Sequence, residues 1–109
     1  MNQEAILVMI SCEDKGGAER IGELLLKKKL AACVQVVPHV DSMFLWPPGK
    51  NRIDYGAEGL LLVKTLESKW SALEKEVLKI HSYENPEILA IPIAQVSNKY
   101  LAWLTKELS

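Results

Sequence analysis

The heptad His81-Ser82-Tyr83-Glu84-Asn85-Pro86-Glu87 puts an imidazole, a phenol and two carboxylates into seven residues. Neutral imidazole with a carboxylate oxygen suits Cu(II) or Zn(II), so His81 with Glu84 or Glu87 is a candidate ligand set. Lys64, Tyr83, Glu87 and Trp46 suggest a second kind of site, a ligand pocket at a subunit interface. There Lys64 holds an anion or pairs with Glu87, Tyr83 donates a hydrogen bond, and Trp46 supplies an apolar wall. Each residue also has a purely structural use. A histidine ending a helix stabilises the negative end of its dipole, Lys64 and Glu87 make an ion pair, and Asn85-Pro86 is turn chemistry.

Cys12 and Cys33 are the only cysteines, and they form no C-x-x-C pair, which argues against a disulfide framework or a structural zinc site. Cys33, between Ala32 and Val34, reads as a small core residue, with a pocket thiol as the alternative. Cys12 is the more exposed ligand candidate. Glu13 and Asp14 beside it raise the thiol pKa, an effect that a bound metal reverses. His39, next to Pro38, reads as a bend residue. No nucleophile and base fall together in one motif, so the chain is read as a binding protein with no catalytic residue and no organic cofactor.

These residues need elements to hold them. Trp70, Leu73, Val77 and Ile80 recur at helical spacing before the heptad, and Ile88-Leu89-Ala90-Ile91 after it is strand-like, so the heptad is a helix-to-strand connection. Such connections carry binding groups because a rigid scaffold aims them. Ala5 to Ile10 is a continuous apolar run, expected as a central strand. Asp14 then caps a helix with Ala18, Ile21, Leu24 and Leu25 on one face and Glu23–Lys27 as a surface pair. Residues 32–46 and 53–64 form the two arms of an extended hairpin, kinked at Pro38 and turned by Pro47-Pro48-Gly49-Lys50-Asn51. The last strand runs from Ile88 to Ile93, and Ser97 caps a final helix with Tyr100, Leu101, Leu104 and Leu108 apolar.

The order βαββαβ plus a terminal helix predicts an α+β ferredoxin-like sandwich in a single domain over residues 1–109. Right-handed crossovers place the strands in the order fourth, first, third, second. Pro38 and Pro92 agree, since proline is tolerated on edge strands and at bulges. Both crossover helices cover one face of the sheet. The other face is too apolar for water, so that face and the long hairpin are expected to be buried by other copies of the chain. Trp70 and Trp103 read as core or interface anchors.

Charge removes further classes. Net charge −1 and pI about 6.1 supply no field for nucleic acid or an anionic membrane. No apolar run reaches a membrane span, and the start Met1-Asn2-Gln3-Glu4 lacks the basic flank of a secretory signal, so the cytoplasm is expected. The central strands carry no stacking aromatics for RNA, and Ser11-Cys12-Glu13-Asp14 offers neither a C-x-x-C for soft metal nor a cationic phosphate cradle.

Five stretches in order carry a family resemblance: Leu30-Ala31-Ala32-Cys33-Val34, Ser42-Met43-Phe44-Leu45-Trp46, Leu62-Val63-Lys64-Thr65, His81 to Ile93, and Tyr100-Leu101-Ala102-Trp103-Leu104. Together they resemble the CutA divalent-cation tolerance family. The resemblance implies a ferredoxin-like protomer and a homotrimer whose hairpins and edge strands join the subunits. It also implies tolerance of copper and other divalent metals, and likeness to PII signalling proteins that sense small molecules in intersubunit clefts. Three positions depart from the family pattern. Ile10 stands where some bacterial relatives carry a copper-linked cysteine, Ile80 where a second histidine precedes the His-x-Tyr motif, and Phe44 where tyrosine is usual. Of the copper set only His81 matches directly, and Pro47-Pro48 enlarges the hairpin.

Overall fold

A computed structural model describes residues 4–109, so the opening Met1-Asn2-Gln3 of the expected non-secretory start lies outside the described residues. The elements in chain order are β1 (Ala5–Cys12), α1 (Lys15–Lys27), β2 (Cys33–Leu45), β3 (Ile53–Leu66), α2 (Trp70–Ile80), β4 (Ile88–Pro92) and α3 (Asn98–Glu107), with one 3₁₀ turn at Glu67–Lys69 leading into α2. The four strands form one antiparallel sheet ordered β2-β3-β1-β4, the order expected from the crossover rule. β2 and β4 are its edges. Pro38 sits at a register shift between Val37 and Val40 on one edge, and Pro92 ends the other opposite Ile6.

Strand alternation sorts the side chains between two faces. Ile6, Val8, Ile10 and Cys12 of β1 point with Leu61 and Val63 of β3 toward the helices, where Ala18, Ile21, Leu25, Leu73 and Val77 close the main core. Asp14 caps α1 as expected, its carboxylate accepting from the Gly17 N–H at 2.8 Å. Gly59 of β3 allows this cap to approach: a Cβ there would lie 2.5 Å from the Asp14 carbonyl oxygen. Two expectations about the helices are corrected. Ile80 is 49% exposed, because α2 ends there and its last turn has passed the edge of the core. The ion pairs among the described residues are Arg20–Glu13, Lys28–Glu76, Lys79–Glu76 and His39–Asp41, so the expected Glu23–Lys27 pair is not formed.

The opposite face is divided. At one end α3 covers it, packing Leu104 and Leu108 on Ala5 and Leu66 in a second cluster. The rest is open: Leu7 and Met9 face Lys64 and Leu62 on one side and Ile91 and Leu89 on the other, with Leu89 40% and Ile91 45% exposed. Beyond the sheet, the β2–β3 arm turns at 47–51, where Gly49 and Asn51 take positive φ of 77° and 52°. Met43, Phe44, Leu45, Trp46, Ile53 and Tyr55 lie exposed along this arm.

Candidate functional site

The heptad is tied down at His81, Tyr83 and Glu87. His81 stands just past α2 in an extended conformation, its own N–H donating to Val77 O at 2.9 Å. Its ring Nε2 lies 2.6 Å from the Ser11 carbonyl oxygen, and Nδ1 lies 3.0 Å from the Tyr83 backbone nitrogen. A carbonyl accepts only, so Nε2 carries the proton; a backbone N–H donates only, so Nδ1 offers its lone pair. Imidazole is thereby held as the neutral Nε2–H tautomer with both nitrogens committed. Tyr83 packs its ring on His81 at 4.9 Å between centroids and donates its hydroxyl to Glu58 Oε2 at 2.8 Å. Burial, then the Glu58 hydrogen bond, pushes the Tyr83 phenol above its usual pKa, keeping it a donor. Glu87 closes the loop. Its carbonyl accepts from Ser11 N–H at 3.2 Å, and its N–H donates to Ser11 Oγ at 3.3 Å.

So anchored, the loop forms one side of a groove of about 1210 Å³, with the β2–β3 arm as the other. Phe44, Trp46 and Tyr83 supply its aromatic walls, and the Phe44 ring lies against Gly56, 3.5 Å from where a Cβ would be. Asp54, Glu58, Glu84 and Glu87 supply its charged lining, which contains no lysine or arginine, with Ser11, Ser42 and Asn85 as neutral polar groups.

Within one chain, the residues expected at the subunit-interface pocket lie in two places. Trp46, Tyr83 and Glu87 share the groove, together with Glu84 of the candidate metal set, whereas Cys33 and Lys64 pair across β2 and β3 at the level of Leu7. Ser11, beside Glu87, is four residues further along β1, roughly 13 Å at strand rise. Lys64 accordingly donates to Gln35 Oε1 rather than meeting Glu87. Cys33 is half-buried, and the Tyr100 phenol is raised above its usual pKa first by burial and then by Cys33.

Cys12 is the second correction. It was expected to be exposed, yet it is fully buried, because it lies two residues from Ile10 and shares its helix-covered face. Its thiol sits 3.7 Å from Ile10 O, and burial, followed by Glu13, pushes its pKa up to about 12. Within one chain the candidate metal set is not brought together. Glu84 is exposed on the loop, His81 has no free nitrogen, and among the described residues no three His, Cys, Asp or Glu side chains converge as ligands. The residues of one chain thus do not fit a metal centre. Ser11 and Glu58, which hold the loop, were missed; neither carries a local signal, since each matters only through a strand neighbour. His39 pairs with Asp41 at 2.8 Å near the bulge, in keeping with a bend residue.

A family model described as CutA1 divalent ion tolerance protein matches residues 6–107. The chain is 36% identical over 102 residues to the divalent-cation tolerance protein CutA of Thermus thermophilus, covering 94% of each. It is 37% identical over 100 residues to the chloroplastic CutA 1 of Oryza sativa, 92% of this chain but 55% of that one, so it spans about half the length of that curated relative. Among solved structures, the periplasmic divalent cation tolerance protein CutA from Archaeoglobus fulgidus superposes with a TM-score of 0.90 at 34% identity, covering 96% of this chain and 99% of that one. With sequence match and fold in agreement over nearly all described residues, the chain belongs to the CutA1 divalent ion tolerance family.

Proposed function

We propose that this protein serves divalent-cation tolerance as a homotrimer that binds a small molecule in the groove beside the 81–87 loop, acting by binding rather than by catalysis. One observation carries the reading. The loop that the family signature occupies is spent on fixing one wall of an open groove, through Ser11, Glu58 and the backbone, and not on presenting a metal donor set. Preformed concavity with aromatic walls and a few placed polar groups is what ligand sites require. The trimer is favoured by the open apolar half of the sheet and the exposed arm, which together are too apolar to face water. Among the described residues no helix is long and apolar enough to cross a membrane. We place the protein in the cytoplasm, where Cys12 and Cys33, free of any disulfide, suit a reducing medium.

Equilibrium dialysis of the purified protein tests this against direct copper binding. A panel of anionic, neutral and cationic metabolites, together with Cu(II) and Zn(II), is compared on the parent chain, Tyr83→Phe and His81→Ala. Metabolite binding weakened in Tyr83→Phe, with no stoichiometric copper site, is the expected result. Copper bound one per chain and lost in His81→Ala would restore the direct metal site and overturn the reading.

A further inference from the structure

We draw no further inference here: the strongest candidate, the cleft between β4 and the first turn of α2, where Glu4 and Glu67 stand beside Trp70 and Pro92, sets two exposed carboxylates against an apolar wall, and nothing in the structure shows what covers it.

Discussion

His81 holds Ser11 O and Tyr83 N–H at once, so its substitution should act on the loop before it acts on any ligand. Replacing it with alanine leaves a carbonyl and an N–H without partners. A loss of about 1–3 kcal/mol in denaturant unfolding is expected, with faster amide exchange at Tyr83 and Glu87. Unchanged exchange there would show that the ring does not latch the loop. Nitrogen-15 NMR should find the Nε2–H tautomer. Cys12 supplies a pH prediction. Its thiol ionises near 9.0 when unperturbed and near 12 when folded, so the fold favours the protonated form. Stability from this thiol is complete below about pH 9 and is lost as pH climbs toward 12. In native protein at pH 8, alkylation followed by mass spectrometry should leave Cys12 unmodified, and unfolding should expose it. The sequence had pointed to Glu13 and Asp14 as the cause of a raised thiol. Burial is the larger cause, and burial depends on what α1 and α2 cover.

At the scale of elements, the start of α1 meets β3 without intervening side chains. Gly59→Ala would drive its Cβ to 2.5 Å from the Asp14 carbonyl oxygen, a backbone atom that cannot rotate away. A cost of about 1–3 kcal/mol is expected, with the melting temperature as readout. Asp14→Ala, which removes the cap on Gly17 N–H, should cost about 1 kcal/mol. The helices are linked by Glu76 of α2, which binds Lys28 at 2.5 Å and Lys79 at 3.2 Å. The hydrogen bonds from Lys28 and then Lys79 hold its carboxyl below the usual range. That contribution is present above the unfolded value of 4.5 and is lost as pH falls through the lower folded one. Element types, caps and the two proline edges were legible because each depends on local spacing. The end of α2 was not: Ile80 continues the helical period, yet lies beyond the sheet that could bury it.

For the whole molecule, the unpaired apolar surface predicts assembly. In solution the protein should show about three times the 12.2 kDa of one chain. Leu89→Asp on the open face should lower that mass while far-ultraviolet dichroism stays native. A parent chain that runs as a monomer at micromolar concentration would remove the trimer. Assembly also bears on the groove, because one of its sides is the exposed arm, which in a trimer would lie among neighbouring subunits.

The sequence by itself determined the order of elements, the split sheet and the family, since hydrophobic period, capping residues and ordered motifs are properties of neighbouring residues. It also singled out the 81–87 loop. Which atoms that loop would touch was decided by tertiary structure alone, because Ser11 and Glu58 reach it through strand pairing across 70 and 25 positions of chain. The same register separated Lys64 and Cys33 from Glu87 within the chain, buried Cys12, and committed both ring nitrogens of His81 to the backbone of Ser11 and Tyr83.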